Sequence, residues 1–121
     1  MSKKILYVED NKDTAKATQI ILAKAGFDID VVFCGKDALD KANKEKIDLF
    51  LLDVMLPDMS GWDIFEKLKG QLKKGVKFIF LSAIPVSTDR MKELKSQGVS
   101  DYITKPFKAP DLIVRVKTIL E

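Results

Sequence analysis

Residues 47–61, Ile47-Asp48-Leu49-Phe50-Leu51-Leu52-Asp53-Val54-Met55-Leu56-Pro57-Asp58-Met59-Ser60-Gly61, decide how this chain is read. The run from Ile47 to Leu52 is short, apolar and bounded by Pro and Gly turn signals, as a strand buried on both faces would be. Ending it in Asp53 puts a carboxylate at the carboxyl edge of a sheet, where open α/β folds keep their sites. A second apolar run, Ile5 to Val8, leads into Glu9 and Asp10, and a third ends at Lys105. Three acids and one ammonium brought to one edge suit a divalent cation and a phosphoryl group.

Working outward, apolar runs and helical patterns alternate five times. The spacing predicts strands over 4–9, 28–33, 48–53, 77–82 and 101–105 and helices near 13–25, 36–44, 61–73, 88–97 and 110–120. The second run alternates Asp28, Ile29, Asp30, Val31, as a half-exposed edge strand does. Gly26 stops the first helix. Ser60 with Asp63 offers a capping box for the third, and Pro110 suits the first turn of the last. The fourth helix has Met91 and Leu94 as nearly its only apolar anchors, which puts it at the low-stability end of the fold. Five short βα units imply a doubly wound α/β architecture, a parallel sheet with helices on both faces and right-handed crossovers. With the second strand at an edge the order is 2-1-3-4-5, the flavodoxin-like arrangement. Strands 1 and 3 then adjoin, which brings Glu9, Asp10 and Asp53 together.

The 121 residues are 46% hydrophobic and 32% charged, within the range of one globular domain. Such a chain buries roughly two thirds of its unfolded surface. No apolar run approaches the ~20 residues that span a bilayer, and Met1-Ser2-Lys3-Lys4 enters a strand rather than a signal-peptide core. A single cysteine, Cys34, cannot form an internal disulfide and fits a reducing cytoplasm. The net charge is +3 and only two of the 21 basic residues are Arg, so the group Lys67, Lys69, Lys73, Lys74 and Lys77 reads as a solvated face, not a nucleic-acid patch. The chain has no histidine, which excludes Ser-His-Asp and Cys-His catalysis, His-ligated zinc and a phosphohistidine carrier role for these residues.

Together, Glu9-Asp10-Asn11, Asp53 through Gly61, Ser82-Ala83 and Lys105-Pro106-Phe107 resemble the receiver domain of two-component response regulators. The resemblance runs from about Lys3 to Leu120 and implies one receiver domain over residues 1–121. It further implies phosphorylation of an aspartate by a partner sensor histidine kinase or phosphotransfer protein, with Mg²⁺ required. The protein would be a cytoplasmic signalling domain rather than an enzyme, catalysing only its own phosphorylation and dephosphorylation. Residue by residue, Asp53 would be the phosphoacceptor, Asp10 a direct Mg²⁺ ligand, Glu9 a ligand through water, and Met55 a ligand through its backbone carbonyl. Ser82 would move toward the phosphoryl group, Tyr102 would be the coupled aromatic switch, and Lys105 would pair with the acids and then with phosphate. The face formed by helix 4, strand 5 and helix 5 would contact the output protein. The family also implies a cis Lys105-Pro106 bond. Ile84-Pro85 departs from the commoner run after the small residue, and Trp62 carries no family role.

Alternatives of other classes fit less well. A haloacid-dehalogenase-type phosphatase resembles Asp-x-Asp at this strand end, and position 55 is Met. In a flavin carrier, Glu9-Asp10-Asn11 would repel the phosphate, and no P-loop occurs. The more serious alternative is a pseudo-receiver that only binds partners, which would usually lack one of the acids or the lysine. No output domain follows Glu121, so the expectation is a stand-alone receiver or an excised one.

Overall fold

The computed structural model describes residues 3–121. Five parallel strands, β1 (Lys4–Val8), β2 (Asp28–Val32), β3 (Leu49–Leu52), β4 (Lys77–Ser82) and β5 (Asp101–Thr104), form one sheet in the order β2-β1-β3-β4-β5. The connections carry helices α1 (Lys12–Lys24), α2 (Gly35–Lys44), α3 (Gly61–Leu68), α4 (Thr88–Ser96) and α5 (Ala109–Leu120). No helix among the described residues is long and apolar enough to cross a membrane.

Side chains on a strand alternate faces, so a strand covered on both sides must be apolar at every position. Leu49, Phe50, Leu51 and Leu52 are all fully buried on these terms. Leu6, Val8, Phe50, Leu52, Phe78, Phe80 and Tyr102 pack with α2, α3 and α4 on one face. Ile5, Tyr7, Leu49, Leu51, Ile79, Leu81 and Ile103 pack with Leu22 of α1 and Leu112 and Val116 of α5 on the other. Each large buried side chain contributes roughly 1.5–3 kcal/mol of transfer free energy. The edge strand β2 keeps only Ile29 buried, which is why its sequence alternates.

Four element ends differ from the sequence expectation in ways that matter. The strands leading to Glu9, Asp53 and Lys105 each stop one residue short, so these three follow the last ladder residues Val8, Leu52 and Thr104, whereas β4 ends at Ser82 as expected. Their side chains project from the edge rather than from within the sheet. Helix α3 ends at Leu68, and residues Lys69–Lys74 continue as a 3-10 segment closed by Gly75 at φ 83°. Gly70 has poor helix propensity, and Lys69 to Lys74 contains no fully buried side chain to hold an α-helical turn. The Ser60/Asp63 capping box is present at the start of α3. In α4 only Leu94 is fully buried, with Met91 packed at the margin.

Candidate functional site

The register of β1 and β3 builds the site. Val8 lies level with Leu52, and the Asp53 amide donates to the Val8 carbonyl at 3.1 Å, so the residues that follow the two strands stand side by side. Glu9, Asp10 and Asp53 each place one carboxylate oxygen within 4.8 Å of the others. On the far side of β4, the Lys105 amide donates to the Ser82 carbonyl at 2.8 Å, anchoring the loop that carries the lysine. The Lys105-Pro106 bond is cis. The Lys105 ammonium then reaches back to donate to Asp53 Oδ2 at 3.1 Å and to Glu9 Oε1.

The three acids are not equivalent. Glu9 is 1% exposed and accepts from the Tyr7 hydroxyl at 3.1 Å, from the Asn11 amide at 3.1 Å and from Lys105. Asp53 is 8% exposed, with the Met55 amide donating to its Oδ1 at 3.3 Å. Asp10 is exposed to solvent. Burial holds the Asp53 carboxyl above its ordinary value; Lys105 opposes this and the neighbouring Glu9 charge adds to it. For Lys105, burial alone would lower the pKa, but the bond to Glu9 and the charges of Asp53 and Glu9 outweigh it, and the ammonium is held above its ordinary value. One cation therefore serves two buried anions, and the third carboxylate adds a negative charge at the mouth.

A cavity of about 390 Å³ opens there, lined by Glu9, Asp10, Asp53, Met55, Ser82 and Lys105 among others. Ser82 is 1% exposed, and its Oγ accepts from the Ile84 amide at 3.2 Å. Tyr102 is 3% exposed and lies inward, its hydroxyl donating to the Ile84 carbonyl and its ring 6.1 Å from Phe80. Loop 53–60 must pass so close to α3 that a Cβ on Gly61 would sit 2.1 Å from the Asp53 carbonyl oxygen. Gly61 is therefore the residue that lets Asp53 occupy this position. All seven residues singled out in the sequence sit at this edge or, for Tyr102, against the loop beside it.

Hard oxygen donors in excess of local positive charge match the coordination chemistry of Mg²⁺, which takes few carboxylates and fills the rest of its octahedron with water, carbonyl or phosphate oxygens. The chain has no histidine, and Cys34 is not among the converging residues, so neither imidazole nor thiolate is present there to favour zinc. The residues present thus fit the metal.

The family profile described as "Response regulator receiver domain" matches residues 5–117. This chain is a response regulator receiver domain. The transcriptional regulatory protein CusR of Escherichia coli K12 is 38% identical over 117 residues, which cover 97% of this chain and 51% of CusR. The regulator PhoP of alkaline phosphatase synthesis in Bacillus subtilis 168 is 38% identical over 120 residues, 99% of this chain and 49% of PhoP. The chain thus spans about half the length of these relatives. Among solved structures, a CheY-like receiver domain protein of Methanospirillum hungatei JF-1 superposes with a TM-score of 0.86 at 30% identity, covering 99% of this chain and 94% of that one. Receiver domains bind Mg²⁺ at an acidic pocket, and Glu9, Asp10 and Asp53 form the acidic cluster of this one.

Two contacts of this receiver were outside the sequence reading. Tyr7 belongs to β1, and its buried hydroxyl holds Glu9; burial followed by the Glu9 charge pushes its pKa well up. The i, i+2 spacing of Tyr7 and Glu9 on one strand face was the available signal. Asp58 lies in the loop after β3, and its carboxylate accepts from the Gly35 amide at 2.8 Å and the Lys36 amide at 2.9 Å at the start of α2. These partners lie 23 and 22 residues earlier, and nothing local in the sequence points to them.

Proposed function

We propose that this receiver accepts a phosphoryl group on Asp53 from a phosphohistidine of a sensor kinase or phosphotransfer protein, and that the modification switches partner binding through the α4, β5 and α5 face. The observation that carries the reading is the convergence of Glu9, Asp10 and Asp53 within 4.8 Å, with Lys105 bonded to two of them. The donor histidine must belong to another molecule, since these 121 residues contain none.

Phosphoryl transfer between anions needs positioning and charge neutralisation more than covalent chemistry from the protein. Asp10, Asp53 and the Met55 carbonyl would hold Mg²⁺, with Glu9 contacting it through water; when bound, the ion supplies positive charge to the equatorial phosphoryl oxygens. An Asp53 carboxylate oxygen attacks phosphorus as the phosphorus–nitrogen bond opposite it breaks. The electron pair stays on the imidazole, and the product is an acyl phosphate. Lys105 exchanges its contact with Asp53 for one with the phosphoryl group, which preserves its charge pairing.

Ser82 turns its hydroxyl from the Ile84 amide toward the phosphoryl group, a hydrogen bond worth about 1.5–3 kcal/mol when the acceptor is charged. That is enough to bias a two-state element separated by a few kcal/mol. The Ile84 backbone is the physical link, because its amide binds Ser82 and its carbonyl binds Tyr102. Moving Ile84 releases Tyr102 and shifts the start of α4, whose anchoring is slight. Residues 1–121 act in this reading as one receiver domain in a cytoplasmic setting, whether or not output sequence is attached.

Incubation with acetyl phosphate and Mg²⁺, followed by intact-mass measurement, tests the proposal. The account predicts one added phosphoryl group, lost on mild base treatment and absent without Mg²⁺. An unchanged mass would instead identify a receiver that only binds partners.

A further inference from the structure

The loop between β3 and α3, residues 53–60, carries both Asp53 and Met55, so the aim of two of the proposed metal ligands depends on what holds this loop. At its base, the Gly61 amide donates to the Val54 carbonyl at 2.8 Å, and Met55 and Ser60 form an isolated antiparallel bridge. Those contacts close the base of the loop, below its tip at Pro57 to Met59. The tip is held from outside. Asp58 spans two backbone amides in the first turn of α2, and Met59 seats against Gly35 so closely that a Cβ there would meet Met59 Cγ at 2.3 Å. Cys34, the N-cap of α2, makes no side-chain cap bond of its own. Asp58 therefore does for α2 what a local cap would do, and in return α2 fixes the tip of the metal loop.

We propose that Asp58 is a positioning residue for the metal site, clamping the β3–α3 loop to α2 so that the Met55 carbonyl and the Asp53 carboxylate keep the geometry that Mg²⁺ requires. The inference rests on the metal-dependent reading above. Mg²⁺ tolerates little departure from octahedral geometry, so a loop free to drift loses affinity without losing any ligand atom. Asp58 touches neither the metal nor the phosphoryl group. The charge attraction between its carboxylate and the first turn of α2 supplements the two hydrogen bonds.

Calorimetric titration with Mg²⁺, well below the melting temperature, separates positioning from mere stability. Asp58→Ala should weaken Mg²⁺ binding roughly tenfold, at the lower end of the range for groups that orient metal ligands from outside the coordination sphere. Asp58→Asn, which keeps one acceptor oxygen, should recover part of that loss. Hydrogen exchange at the Gly35 and Lys36 amides should rise in Asp58→Ala and less in Asp58→Asn. Ile29→Val, a core truncation in β2 remote from the loop, serves as the control that lowers melting temperature alone. Equal Mg²⁺ affinity in wild type and Asp58→Ala overturns the clamp, as does an affinity loss in Ile29→Val of the same size. A wild-type protein that binds no Mg²⁺ contradicts the metal site itself, an outcome distinct from either.

Discussion

Lys105 Nζ lies 3.1 Å from Asp53 Oδ2 and bonds Glu9 as well, joining residues 52 and 96 positions apart in the chain. This one ammonium is the only cation paired with the two buried carboxylates among the described residues. One ammonium against three clustered carboxylates leaves the site net negative, and that remainder is what would draw a divalent cation.

Asp53→Asn should stabilise the metal-free protein. Two like charges about 4 Å apart cost up to ~4 kcal/mol at an effective dielectric near 20, and Lys105 offsets most of this. A net gain of about 1 kcal/mol, roughly 4 °C in melting temperature for a domain of this size, is expected in EDTA. A melting temperature equal to or below wild type would show that the acids do not repel.

Lys105→Ala should act in the opposite direction. It leaves Glu9 and Asp53 buried without their cation, which costs about 3 kcal/mol when an ion pair is broken from one side. The rest of the sheet is untouched, so the variant should still fold. Its Mg²⁺ affinity should rise, because the competing positive charge is gone, while phosphorylation no longer alters partner binding. Thermal melts with and without Mg²⁺ read the stability and the affinity, and partner pull-down with and without phosphorylation reads the switch. Weaker Mg²⁺ binding in this variant would argue against the shared-anion account.

The same groups give the metal-free protein a pH signature. Asp53 titrates above its ordinary 3.8 in the folded state, so the fold binds its proton more tightly than the unfolded chain does. Stability from this group falls as pH rises from about 4 through the raised folded value. Asp58 runs the other way. Its bonds from the Gly35 and Lys36 amides hold its pKa below 3.8, so its contribution is present above 3.8 and lost as pH falls through the lowered value. Melting curves of wild type and Asp53→Asn in EDTA should diverge as pH rises from 4 to 7 and converge toward pH 4. Parallel curves across that interval would refute the assignment to Asp53.

Trp62 should report the switch rather than the metal. Its ring lies 4.2 Å from Phe80 and 6.3 Å from Tyr102, with the Arg90 guanidinium 5.3 Å above it, and it does not line the acidic cavity. A rearrangement of Tyr102 and α4 therefore alters its surroundings directly. Emission should change with phosphoryl incorporation and move little on Mg²⁺ addition alone. A full change on Mg²⁺ alone would place the sensor at the metal step.

How much of this was legible in the chain differs by residue. Strand-end placement of Glu9, Asp53 and Lys105 followed from apolar runs that stop at a charge, because a parallel sheet delivers every strand end to the same edge. The edge position of β2 could be read in the alternation of Asp28 to Val31, which reflects one exposed face. The inequality of the acids could not. Glu9 is buried beneath bonds from Tyr7, Asn11 and Lys105, and Asp10 is exposed; the Lys105 partner comes from a strand end 96 residues away. The early end of α3 at Leu68 was likewise masked by Leu72, which continues the helical period and packs half-buried against the core from the 3-10 segment. The Asp58 clamp is a contact between segments, fixed only once β3 and α2 are packed, so no local rule finds it. For Trp62 proximity in sequence to Asp53 suggests a reporter of the metal, but its partners, Phe80, Tyr102 and Arg90, lie on three other elements and away from the acidic cavity.

The central claim is that Asp53 carries the acyl phosphate. Borohydride reduction after incubation with acetyl phosphate and Mg²⁺ converts an aspartyl phosphate to its alcohol, and tandem mass spectrometry of the peptide spanning loop 53–60 locates it. The account predicts reduction at position 53 alone, abolished in Asp53→Asn. Reduction at Glu9 or Asp10, or none anywhere, would contradict it.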